Sequence, residues 1–267
     1  MEPPQQVPFF INIFMKKAVF ISDLHLASKK SQASEIHRFL KNLETENLYM
    51  VGDIIDIWRF RQAFSMGATK QKETVKCIDR LLRLSKDTKV HYIWGNHDEF
   101  MERFKGSSGF GDISLSEREE YVGMDGRRYL VLHGHQFDLL AKYSWSPWVG
   151  KLGDIGYDFM ISVNEWYNWI RRKMGLRYWS LSKYVKVKFK HAVVFIDRFE
   201  DITTEYARRQ GYDGVICGHI HDPQDKMVNG IRYLNCGCWT DQANLTYIVD
   251  DENGLRLEYS LVPRKFS

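Results

Sequence analysis

Cysteine is scarce. Four occur in 267 residues (Cys77, Cys217, Cys236 and Cys238). None forms a C-x-x-C pair, which excludes a zinc ribbon and a thioredoxin-like motif. Reduced, buried thiols of a cytosolic protein are the expectation. Proline is scarce too, and three of the six fall in residues 1–15, MEPPQQVPFFINIFM. That segment has no basic residue and only a short apolar core, so it does not match a secretory signal. It is expected to be a disordered extension or an upstream start. No run approaches the length of about 18 apolar residues needed to span a bilayer. Charge imbalance is slight, at +4 with a pI of about 8.7, which favours anionic partners without naming one. No internal repeat or low-complexity segment is present.

What is present is an alternation. Short apolar runs recur at Ala18–Ser22, Leu48–Val51, Val90–Trp94, Tyr129–Leu132 and Gly214–Cys217. Runs of this length fit strands buried on both faces. Helical spacing lies between them, at Ser34–Asn47 and at Thr69–Ser85, where Val75, Ile78, Leu81, Leu82 and Leu84 fall mainly on one face. The expectation is an α/β sheet with helices packed on it. Alternating strands at Ile231–Asn235, Leu245–Val249 and Leu255–Leu261 close the chain. Residues 139–210 differ. They hold five of the eight tryptophans, and Arg171–Lys190 has eight basic residues and no acidic one. This stretch is expected to be a helical cap inserted between core segments 16–138 and 211–267.

Each core strand ends in polar residues. The sequence gives Asp23-Leu24-His25, Gly52-Asp53-Ile54-Ile55-Asp56, Gly95-Asn96-His97-Asp98, His133-Gly134-His135 and Gly218-His219-Ile220-His221. In open α/β sheets ligands bind beyond the carboxyl ends of strands. In an extended segment residues i and i+2 share a side, so Asp23 with His25, and His219 with His221, are expected to converge. Carboxylate, amide and imidazole donors suit manganese, iron, cobalt, nickel or zinc. His37, His91 and His191 are expected to be surface or satisfied core residues.

The series D-x-H, G-D-x-x-D, G-N-H-D, H-G and G-H-x-H, in that order, resembles the metallophosphoesterase (calcineurin-like) superfamily over residues 18–135 and 212–250. The resemblance implies a four-layer α/β/β/α sandwich holding two divalent metal ions, with manganese the first choice. It implies that Asp23, His25, Asp53 and His221 hold one ion. Asp53, Asn96, His133 and His219 would hold the other, with Asp53 bridging. His97 would be the general acid and Asp56 the residue orienting it. Asp98 is expected to support a ligand histidine.

Within the superfamily the UDP-2,3-diacylglucosamine pyrophosphatase-like branch is the nearest likeness. It is carried by Gly52–Arg61, Gly95–Phe100, Tyr129–Leu139, Tyr178–Tyr184 and Val215–His221. That branch implies cleavage of a lipid-linked nucleotide pyrophosphate in lipid A synthesis, with release of UMP. Arg59 and Arg61 would grip substrate phosphates. The cap would meet acyl chains or an anionic membrane surface, placing the protein in the cytoplasm or peripherally on the inner membrane. The alternatives are a phosphodiesterase or phosphatase with a small soluble substrate, and a non-catalytic scaffold. No nucleic-acid partner is expected, because no basic stripe exists outside the cap. Two positions depart from the branch. His135 and Cys238 stand where relatives carry aspartate.

Overall fold

The computed structural model describes residues 16–56, 68–105, 113–138, 181–240 and 245–260, without the side chains of 68–71 and 181–194. Arg59, Arg61, the N-terminal extension and the first part of the expected cap lie outside the described residues.

In chain order the elements are β1 (Lys16–Ile21), α1 (Ala33–Lys41), β2 (Thr45–Val51), α2 (Ala68–Leu84), β3 (Lys89–Ile93), β4 (Ile113–Ser116), β5 (Arg118–Val122) and β6 (Arg128–Leu132). They continue with α3 (Leu181–Arg209), β7 (Gly214–Cys217), β8 (Gln224–Val228), β9 (Ile231–Asn235), β10 (Thr246–Asp251) and β11 (Gly254–Tyr259). The strands form a six-stranded sheet, β11-β10-β1-β2-β3-β4, and a five-stranded sheet, β5-β6-β7-β9-β8. The central strands β1, β2 and β3 run parallel, as do β6, β7 and β9. Their carboxyl ends therefore lie on common edges.

The period-2 rule explains the layering. Val19, Ile21, Leu48, Met50, Val90 and Tyr92 face one way and bury α1 and α2 through Ile36, Leu40, Cys77, Leu81 and Leu84. Their neighbours Ala18, Phe20, Tyr49, Val51 and Ile93 face the other way and meet Tyr129, Val131, Ile216 and Leu234 of the second sheet. Leu130, Leu132, Val215, Cys217 and Tyr233 then cover Phe199 and Ala207 of α3. The layers are α/β/β/α, as the motif series implied. Three apolar layers also explain why the core strands read as continuous apolar runs: both faces are buried.

The helix expected over Ser34–Asn47 stops at Lys41. The Asn42 amide closes on the carbonyls of Arg38 and Phe39. Beyond it the Thr45 hydroxyl bonds the Lys16 carbonyl and the Asn47 amide bonds the Lys17 carbonyl. Strand pairing with β1 thus takes residues that helical spacing had assigned to α1. On α2 the buried face runs through Thr74, Cys77, Leu81 and Leu84, while Val75 and Leu82 are exposed. No helix among the described residues is long and apolar enough to cross a membrane.

Candidate metal centre

The strand ends deliver their side chains through strained backbone. Among the described residues, Asp23, His25, Asp53, His219 and His221 all take positive φ, between 44° and 71°. Left-handed backbone is costly for such residues and concentrates at functional sites. It also corrects the extended geometry expected from i, i+2 spacing. The pairs converge because each residue turns in the left-handed region. Gly52, at φ 81°, makes the approach feasible: a Cβ there would stand 2.2 Å from His133 Nδ1. At Gly95 a Cβ would stand 2.2 Å from Asp53 Oδ1. The side chains of His133 and Asp53 fill the space that these two glycines leave.

Asp53 is the hub. Its Oδ1 lies 3.4 Å from His133 Nε2. Its Oδ2 lies 3.8 Å from both His25 Nε2 and His97 Nε2. On the far side Asp23 Oδ1 lies 3.0 Å from His221 Nε2 and 3.8 Å from His25 Nε2. Among the described residues three donor groups result, each compact enough for one cation: Asp23–His25–His221, His25–Asp53–His97 and Asp23–Asp53–His133. Asp23 Oδ1 and His133 Nε2 are fully buried and, among the described residues, make no well-aligned hydrogen bond, only the ion-pair contacts to His221 and Asp53. Such orphaned buried donors, converging with a second carboxylate, fit a divalent cation. His219 stands outside these groups. Its amide bonds Asp23 Oδ2 at 3.0 Å and its ring packs edge-on to His133 at 5.1 Å. Asn96 is exposed on the turn after β3, one residue before His97.

The electrostatics follow from this packing. Burial alone would push His133 and His221 down. The carboxylate of Asp53 outweighs it for His133, which rises to about 9. Asp23 and the Cys238 thiol outweigh it for His221, which rises to about 10. Burial would raise Asp53, yet the imidazoles of His133 and His97 hold it well below the carboxylate range. Burial keeps His25 below its ordinary value. His97 shifts up, chiefly through the Asp56 carboxylate 3.3 Å from its Nδ1. That contact joins residues 41 apart in the chain.

Asp98 does something other than support a ligand histidine. Wholly buried, it accepts hydrogen bonds from the amides of Ile54 at 2.8 Å, Asp53 at 3.3 Å and Gly95 at 2.5 Å, and from the Tyr92 hydroxyl at 2.6 Å. It clamps the Asp53 loop to the β3 loop. His91, expected to be structural, stacks on Tyr49 and pairs with Glu119 at 2.7 Å.

The two departures sit inside the centre. His135 tilts against His133 at 5.6 Å, and its buried Nδ1 has no hydrogen-bond partner among the described residues. Burial, then the neighbouring imidazoles of His133 and His219, push it down to about 4. The Cys238 thiol is buried, and although burial would raise it, contact with His221 brings it below the ordinary thiol value. Sequence reasoning gave no role to Asp138, whose Oδ1 lies 2.7 Å from His219 Nε2. The only available signal was its place five residues after His133 in H-G-H-Q-F-D.

Comparison with known proteins agrees with this chemistry. A UDP-2,3-diacylglucosamine hydrolase of Coxiella burnetii is 26% identical over 245 residues, spanning 84% of this chain and 90% of its own. One of Psychromonas ingrahamii is 27% identical over 256 residues, spanning 90% and 96%. A solved archaeal phosphodiesterase, 14% identical, covers 91% of this chain and 99% of its own with a TM-score of 0.44. That likeness is too distant to inform the site. The profile of the family described as Calcineurin-like phosphoesterase matches residues 16–223. On that match, over most of its length, the chain belongs to the calcineurin-like phosphoesterases and is a metal-dependent hydrolase.

Proposed function

We propose that the centre binds two divalent cations, manganese by preference, and hydrolyses the pyrophosphate of UDP-2,3-diacylglucosamine or a similar lipid-linked nucleotide sugar, releasing UMP. Asp23, His25, Asp53 and His221 would hold one ion, and Asp53, Asn96, His133 and His219 the other. The observation that carries the two-ion reading is the divided carboxylate of Asp53, one oxygen toward His133 and the other toward His25 and His97. When bound, such a pair of cations polarises phosphoryl oxygens and supplies hydroxide at neutral pH.

The chain's own residues then have defined tasks. A water oxygen adds to phosphorus and the bridging P–O bond breaks. His97 Nε2 stands toward the centre while its Nδ1 rests against Asp56. That arrangement favours the protonated ring, raising it above the ordinary imidazole value, and aims its other N–H inward. His97 Nε2 would give that proton to the departing phosphate oxygen, or neutralise the charge growing there.

Support for the lipid-linked substrate comes from the relatives, whose likeness runs across most of this chain. Residues 139–210 are proposed as the cap over the lipid. Their tryptophans suit acyl chains, and the basic run Arg171–Lys190 suits phosphates or the anionic inner face of a membrane. Arg59 and Arg61 are proposed to grip the pyrophosphate. His135 and Cys238, standing where the resemblance implies aspartate, favour a second reading with a small soluble phosphodiester. Hydrolysis of UDP-2,3-diacylglucosamine with added Mn²⁺, followed as UMP release, separates the two. UMP release supports the first. Turnover of soluble model diesters alone supports the second.

A further inference from the structure

We infer that Asp138 is a positioning residue that acts through His219, fixing which ring nitrogen His219 offers to a cation. The inference rests on the two-metal reading and deepens it. A carboxylate accepts hydrogen bonds and donates none when ionised, so the 2.7 Å contact makes His219 Nε2 the nitrogen that carries hydrogen. In a neutral imidazole the lone pair then lies on Nδ1. His219 Nδ1 is thus the atom left to coordinate. The neighbouring ligand is arranged the other way. His221 Nε2 also faces a carboxylate, Asp23 Oδ1 at 3.0 Å, but Asp23 and His25, whose Nε2 lies at 3.4 Å, belong with it to one three-donor group, so there Nε2 is the atom turned toward a shared cation. The two histidines of one short G-H-x-H segment therefore present different nitrogens.

The geometry around Asp138 is built rather than incidental. Asp138 closes the one-turn helix His135–Phe137. Phe137 is buried against the rings of Phe199 and Tyr206, which anchors that turn to α3. The Phe199 ring also lies 5.9 Å from the His219 ring. The His219 amide is tied to Asp23 Oδ2 at 3.0 Å. The imidazole is therefore held by its backbone, by an aromatic ring and by Asp138 at Nε2. Carboxylates placed behind ligand histidines orient the ring and raise its basicity, and removing them costs about 10–100-fold in metal affinity.

The test uses the full chain loaded with Zn²⁺, and long-range ¹⁵N–¹H correlation of its histidines. His219 is expected to show a protonated Nε2 and a metal-bound Nδ1. A metal-bound Nε2 overturns the inference, because Asp138 could not then be its partner. In Asp138→Ala, titration with Mn²⁺ or Zn²⁺ is expected to show one site weakened about 10–100-fold and the other, on Asp23, His25 and His221, unchanged. Turnover is expected to return at saturating metal, so the metal requirement rises while kcat is kept. Asp138→Asn, which still accepts a hydrogen bond, is expected to fall between. Two sites of wild-type affinity in Asp138→Ala overturn the inference. Should that variant fail to fold, the wild-type spectrum decides alone. A wild-type chain that binds a single ion would instead defeat the two-metal reading, which keeps the two failures apart.

Discussion

His97 and Asp53 stand 3.8 Å apart, yet replacing them should have opposite consequences. His97 contributes one nitrogen toward the centre and spends the other on Asp56. Its removal leaves the remaining donors in place. In His97→Ala both metals are expected to remain, by metal analysis, while turnover falls about 10²–10⁴-fold, the usual contribution of a positioned proton donor. Loss of both ions in that variant would make His97 a ligand, a role its place in the His25–Asp53–His97 group keeps open to test. Asp53 is different because each of its oxygens faces a different set of imidazoles. Asp53→Ala withdraws a donor from both ions and leaves buried His133 with Asp23 as the remaining carboxylate of its group. Metal content is expected to drop below one ion per chain, and retention of two would remove the bridging role. At this scale the sequence was most informative. Aspartate and histidine side chains announce their chemistry in their names, and five ordered motifs placed them. Asp138 was not legible, because its partner lies 81 residues away and only folding joins them.

At the scale of the element, the centre depends on loops that would otherwise have no reason to hold left-handed backbone. Asp98 supplies that reason for the Asp53 loop. Its carboxylate gathers amides from both the β2 and β3 ends and a tyrosine hydroxyl, with no exposure to solvent. Each buried donor left unpaired costs about 1–3 kcal/mol. Asp98→Ala is therefore expected to destabilise the metal-free protein by roughly 3 kcal/mol or more, read as a lower Tm, and to abolish turnover. Asp98→Asn keeps an acceptor oxygen and is expected to recover part of both. A wild-type Tm for Asp98→Ala would show that the clamp holds nothing. Strands buried on two faces were legible as continuous apolar runs. The alternating strands that form β9, β10 and β11 were legible as well, but three strands were not. Edge strand β8 (Gln-Asp-Lys-Met-Val) is largely exposed, and β4 and β5 are half-polar, so no apolar run marks them. The overrun of α1 has a related cause. Helical spacing reports which residues are apolar, whereas Thr45 and Asn47 join β2 through hydrogen bonds to β1, a partner that spacing cannot see. The left-handed turns are invisible for the same reason, since nothing in D-x-H states a backbone angle.

Taken as a whole molecule, the two packed sheets set acid and base against each other at one edge, and this has a measurable consequence for proton balance. In the metal-free protein His133 and His221 titrate at about 9 and about 10, above the free imidazole value of 6.5, because Asp53 and Asp23 outweigh the effect of burial. The sign follows directly. The folded state binds these protons more tightly than the unfolded chain does. Their contribution to stability is fully present below about pH 6.5 and is lost as pH rises through about 9 and then about 10. The metal-stripped protein is therefore expected to lose Tm steadily between neutral pH and pH 10, and a flat or rising Tm over that window would contradict the pairing. Cations compete for the same nitrogens, and a ligand imidazole must be deprotonated to coordinate. Filling the centre near neutral pH should thus expel about two protons per chain, one from each of these histidines. Calorimetric titration with Zn²⁺ in buffers of different ionisation enthalpy counts them. Release near two ties metal binding to these two carboxylate–imidazole pairs. Release near zero means that the imidazoles are neutral before the metal arrives, so that Asp23 and Asp53 enter the centre as bare carboxylates.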